Sequence, residues 1–159
     1  MSWFNNNLVP TIIEQAECIL SGMAELPDFP KDSNGGYFAV SDRMTGETLL
    51  LIPIGEVTDQ NLARYRGFCL EKVRRLIQNP AHLSSWQSKN KTRERYAGAV
   101  LLPGNMVLSF SGLPELADEA LCLILAIILD WTSQAYADEI ATISTNKIYF
   151  EYTKEFIND

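Results

Sequence analysis

The sequence predicts an α+β domain, an antiparallel sheet with helices on its faces. Three observations carry this. Two pairs of strand-like runs are each joined by a short glycine-containing turn, Arg43-Met44-Thr45-Gly46 and Pro103-Gly104-Asn105. Stretches with helical apolar spacing separate the two pairs. No Gly-x-Gly-x-x-Gly follows a strand, so a doubly wound dinucleotide fold fits badly. The predicted order is helix, hairpin, helix, loop, hairpin, helix, strand, which gives five strands. At 159 residues, 47% apolar and 21% charged, residues 1–159 read as one domain with a full core. That composition excludes a disordered chain and a coiled-coil rod.

The first helix is expected over residues 8–25. Leu8, Ile12, Ile13, Ala16, Ile19, Leu20 and Met23 recur at helical spacing, and Pro10 falls in the first turn, where a missing N–H costs nothing. A breaker-rich loop follows over residues 26–36. Residues 37–42 and 47–54 form the first hairpin. The run Leu49-Leu50-Leu51-Ile52 suggests a second strand covered on both faces. Thr58 or Asp59 caps a helix that runs to about Gln78, and Asn79-Pro80 stops it. Residues 81–95 read as a polar loop or short helix. Residues 97–102 and 106–111 form the second hairpin. Pro114 opens a third helix that is apolar nearly all round over residues 121–129 and is expected to end between Trp131 and Ile140. The alternating stretch Lys147-Ile148-Tyr149-Phe150-Glu151-Tyr152-Thr153 reads as a last strand.

Charge narrows the partners. The formal charge is −7, which does not suit a general nucleic-acid or anionic-membrane binder. Residues 62–95 nevertheless carry nine basic side chains against two carboxylates, Glu71 and Glu94. That segment is either a solvated face or an anion-binding edge. The longest apolar run, residues 120–129, is half the ~20 residues that a spanning helix needs, so no membrane partner is expected. The N-terminus shows no basic region followed by an apolar stretch, so no signal peptide is expected. Cys18, Cys69 and Cys122 match no metal or redox spacing and read as small buried residues of a cytoplasmic chain.

Residues 96–99, Tyr-Ala-Gly-Ala, and the stretch Ser111-Gly112-Leu113-Pro114-Glu115-Leu116-Ala117-Asp118-Glu119 resemble the haem-degrading/haem-binding, GlcG-like domain family. Its pattern is a glycine-led strand, a turn, a strand ending in Ser-Gly, and an Asp-Glu pair opening a long helix. Asp42, Gly46 and Lys72-Val73 stand at the corresponding upstream positions. The similarity spans residues 8–129, and residues 130–159 are a C-terminal extension that holds the last strand. The resemblance implies a profilin-like fold, a haem or organic-anion ligand, and a homo-oligomer. In a strict family match Val73 would be Ala, and residues 96–100 would open Gly-Gly-x-Pro-Ile.

The candidate ligand residues are Lys72, Ser111, Gly112, Asp118 and Glu119. Lys72 lies at the edge of the apolar stripe of its helix, where a lysine snorkels, pairs or meets a ligand. Gly112 offers close backbone approach. The helix start near Pro114 offers N–H donors to an anion. Asp118 and Glu119 are candidate partners for Lys72, and with Glu115 they also suit a helix N-terminus. His82, the one histidine, is the sole weak candidate for a haem ligand and stands in a polar loop. No nucleophile–base set is evident, so no catalytic residue is assigned and a binding module is favoured over an enzyme or a structural adaptor. The apolar third helix exceeds what one side of a sheet covers, which points to self-association.

Overall fold

The computed structural model describes residues 4–158. A short turn of 3-10 helix leads into α1, Val9–Ala24, with Pro10 in its first turn. Strands β1, Gly35–Asp42, and β2, Thr48–Gly55, form the first hairpin, and Gly46 takes φ 73° in the turn between them. Helix α2 spans Asp59–Gln78. Thr58 occupies its N-cap position, but its side chain makes no capping bond. Strands β3, Ala99–Leu102, and β4, Met106–Ser111, form the second hairpin, turned by Gly104 and Asn105 at φ 80° and 63°. Helices α3, Glu115–Ile128, α4, Gln134–Ile143, and α5, Lys147–Phe156, complete the chain.

The sheet is antiparallel, with four strands in the order β2-β1-β4-β3. Side-chain alternation sorts its faces. Phe38, Val40, Val100, Leu102, Leu108 and Phe110 face one way and join the main core with α1, α3 and the C-terminal helices. Ala39, Ala99 and Val107 face the other way and pack under Cys69, Val73 and Leu76 of α2. Two of those three sheet residues are alanines, so α2 lies close to the strands.

Four expectations need correction. The predicted last strand, residues 147–153, is helix α5, so the sheet has four strands and not five. Asn146 accepts from the Tyr149 amide at 3.0 Å and caps it, and the buried Tyr149, Tyr152 and Thr153 fall on one helical stripe. The third helix ends at Ile128, earlier than predicted, because Asp130 takes φ 59° and Ser133 starts a new helix. Strand β2 is not covered on both faces; it is an edge strand whose apolar run is only half-buried. Cys69 and Cys122 are buried as expected, but Cys18 is exposed.

The apolar third helix finds its cover inside the chain. Leu121 to Ala126 are fully buried between the sheet on one side and α1, α4 and α5 on the other. The premise of an uncovered α3 therefore gives no argument for self-association. Residues 130–158 are part of this packing: Tyr136 Oη donates to the Leu101 carbonyl at 2.8 Å, and Tyr149 Oη to Asp138 at 2.6 Å. Among the described residues no helix is long and apolar enough to cross a membrane.

Candidate functional site

Lys72 lies on the sheet-facing side of α2 and is 2% exposed. Its Nζ donates to the Phe110 carbonyl at 2.8 Å and to Asp118 Oδ2 at 2.9 Å. Asp118 belongs to α3, which packs on the opposite face of the sheet. The ion pair thus joins the two helical layers. It passes over Gly98, just before β3, where φ is 139° and a Cβ would stand 2.6 Å from Lys72 Nζ. Only glycine leaves that passage open.

The second oxygen of Asp118, Oδ1, accepts from the Leu113 amide at 2.9 Å. Burial pushes the Asp118 carboxyl up from 3.8 to about 7, against the pull of Lys72 and of the Leu113 amide. Burial also raises the Cys69 thiol to about 12, and raises that of Cys122 well above its ordinary value. Neither is a ready thiolate at neutral pH.

A cavity of about 270 Å³ opens beside this pair, between α2, the end of β4 and the start of α3. Arg64, Tyr65, Phe68 and Lys72 line it from α2, at spacings that share one helix face. Tyr96 closes it from the loop that precedes β3. The Phe68 and Tyr96 rings meet edge-on at 5.7 Å and 77°. The Arg64 guanidinium lies 5.3 Å from the Phe68 ring centre.

Arg75 holds the loop wall. Its buried guanidinium pairs with Glu71 and donates to the Ser85 carbonyl at 2.7 Å, to Ser88 Oγ at 2.9 Å and to the Tyr96 carbonyl. Glu115 fastens the same loop from α3, accepting from the Ala97 amide at 3.1 Å and pairing with Lys89 at 3.5 Å. Three of the nine basic side chains of the segment are committed within the fold: Lys72 to Asp118, Arg75 to Glu71 and the loop, Lys89 to Glu115 and the Trp86 ring.

Of the residues singled out from the sequence, Lys72, Ser111, Gly112 and Asp118 come together at this cavity. Glu119 does not. It is fully buried on another side of α3 and accepts from Ser84, Ser144 and Asn146. Consecutive helical residues point about 100° apart, so Asp118 and Glu119 do not serve one site. Burial raises the Glu119 carboxyl above its ordinary value.

Gly112 serves the backbone rather than a guest. At φ 148°, its missing Cβ would lie 2.2 Å from the Gly35 carbonyl oxygen. The helix start is also partly spent: Asp118 takes the Leu113 amide, and the Pro114 carbonyl takes the amides of Ala117 and Asp118. His82 lies on the turn after α2 and does not line the cavity; its Nδ1 is buried and makes no hydrogen bond.

In the sequence Arg64 stands out only as one of the nine basic residues of the candidate anion-binding edge, and Tyr96 only within the Tyr-Ala-Gly-Ala element, while Tyr65 and Phe68 flank Lys72 on the helical wheel. The i, i+3, i+7 spacing of Tyr65, Phe68 and Lys72 was the signal that these rings share the lysine's face. No hydrogen bond joins the Ser111 hydroxyl to Lys72 or Asp118. Among the described residues no group of three His, Cys, Asp or Glu side chains is placed to hold a metal ion. Comparison of the chain with protein-family models, with curated proteins and with solved structures gave no match.

Proposed function

We propose that this protein is a non-enzymatic binding module for a small organic anion, of the GlcG-like type that its Ser111-Gly112 and Asp118-Glu119 elements resemble. One observation carries the reading: the cavity of about 270 Å³ brings three aromatic rings together with four charged side chains. The lining is more polar than apolar, and convergent polar groups beside aromatic surface are what orient a guest in a ligand site.

The volume favours a small acid over haem. Pockets for drug-sized ligands run from ~300 Å³ upward, and the four-pyrrole macrocycle with its propionates is larger than this space. No histidine, cysteine or methionine lines the cavity, which leaves Tyr65 and Tyr96 as the side chains there able to ligate haem iron. These residues do not fit an enclosed haem, and no step through haem is derived.

Self-association accompanies this reading, as the resemblance implies. The open edge of β2 and the exposed Ile128 and Phe150 offer surface for it, and light scattering at micromolar concentration reads the state directly. The reading also places the chain in a reducing cytoplasm, in keeping with three cysteines that form no disulfide.

The test is titration with benzoate and with hemin, followed by calorimetry and amide chemical shifts. Benzoate is expected to shift amides around Tyr65, Phe68, Tyr96 and Ser111. Shifts scattered over other surfaces, or none, would sink the reading.

A further inference from the structure

Lys72 is the positive charge that the sequence offers for an anion, but its charge is already answered. Two of its three N–H donors are taken, by the Phe110 carbonyl and by Asp118, and the ammonium is buried. An anion arriving there meets the Asp118 carboxyl as well. Glu115, also in the wall, is bonded to the Ala97 amide and to Lys89.

Arg64 is different. It lines the same cavity and is exposed. Among the described residues no carboxylate pairs with it. Its guanidinium lies beside the aromatic wall, 5.3 Å from the Phe68 ring centre, and among the described residues no protein group occupies its N–H fork. A guanidinium in that state suits a carboxylate in a two-bonded fork. A dianion would face Asp118 and Glu115 with only one unpaired cation to hold it, so a monoanion fits better.

The walls set the rest of the guest. Tyr65, Phe68 and Tyr96 supply three rings to the lining, which favours a flat apolar body on the guest. A dry cavity of ~150 Å³ admits benzene. One of about 270 Å³ has room for a single ring with its acid group and little more.

From these features, and resting on the binding function proposed above, we infer that the cavity takes a single-ring aromatic monocarboxylate and that Arg64 holds its carboxylate. Lys72 and Asp118 then form the floor that shapes the site, and Arg64 sets the preference for acid over neutral guests.

The experiment compares benzoate with benzamide, and phenylacetate with phenylacetamide, on wild type, Arg64→Gln and Arg64→Lys. Each acid differs from its amide chiefly in charge. Wild type is expected to bind the acids about tenfold tighter than the amides, the scale of one charge-assisted bond. Arg64→Gln is expected to lose that preference while keeping its amide affinity, and Arg64→Lys to keep part of it. Arg64 is exposed, so the variants are expected to fold, which unchanged circular dichroism and melting would register. If wild type binds and Arg64→Gln retains the acid preference, the assignment to Arg64 falls and the site stands. If wild type binds neither acid nor amide, the site falls and the assignment with it.

Discussion

At the scale of single residues, the Lys72–Asp118 pair ties the helical layers on the two faces of the sheet. Both partners are almost fully buried, so removing one leaves an uncompensated charge. Lys72→Met is expected to cost about 3–5 kcal/mol in alkaline buffer. The cost should shrink in mildly acid buffer, where Asp118 takes a proton. The double variant Lys72→Met with Asp118→Asn keeps an acceptor for the Leu113 amide and removes the charge. Its loss should fall short of the sum of the two single losses by about 0.5–3 kcal/mol in urea unfolding. A strictly additive cycle would show that the two groups do not stabilise each other. The sequence made Lys72 conspicuous, because a lysine beside an apolar stripe needs a destination. It also named Asp118 as a candidate destination. It could not choose between Asp118 and Glu119, nor show that the lysine would be neutralised in the process. That depends on Gly98, whose bare backbone opens the route, and nothing in the local pattern ties Gly98 to a residue on another helix.

Elements were legible where periodicity and punctuation agreed. Both hairpins, α1 and α2 have clear apolar spacing and clear stops at glycine or proline, and the structure places them within two residues of expectation. The C-terminal segment was misread because a short run rich in tyrosine, phenylalanine and isoleucine satisfies two periods at once. Asn146 breaks the tie. It caps α5 through the Tyr149 amide and donates to the Leu116 carbonyl at 2.8 Å and to Glu119 at 2.9 Å. Asn146→Ala is therefore expected to cost about 2–4 kcal/mol, a lost cap plus buried acceptors left short. Ser133→Ala, at the exposed N-cap of α4, should cost about 1 kcal/mol. Hydrogen exchange should quicken across α5 in the first variant and stay local to α4 in the second. Equal losses in the two would mean that the Glu119 cluster contributes little.

Across the whole molecule, buried carboxyls couple stability to pH with a definite sign. Asp118 ionises near its ordinary 3.8 when unfolded and near about 7 when folded. Between those values the unfolded chain binds fewer protons, so this contribution is complete in acid and is lost as pH rises toward 7. Glu119 is raised as well and acts in the same direction. The urea midpoint of wild type should fall across this window relative to that of Asp118→Asn, whose profile should be flatter; parallel profiles would contradict the shift.

The sheet has a different kind of asymmetry. The outer side of β3 is occupied, by the Leu83 carbonyl accepting from the Leu101 amide at 2.8 Å and by a bridge from Ser84 to Val100. Among the described residues only β2 keeps an open rim, and Pro53 removes one N–H from that strand. A layer with a single open rim offers one place for another strand to add. Two copies joined there by a two-fold axis use up both rims and leave nothing to extend, so the geometry that permits a pair also stops a fibre from growing.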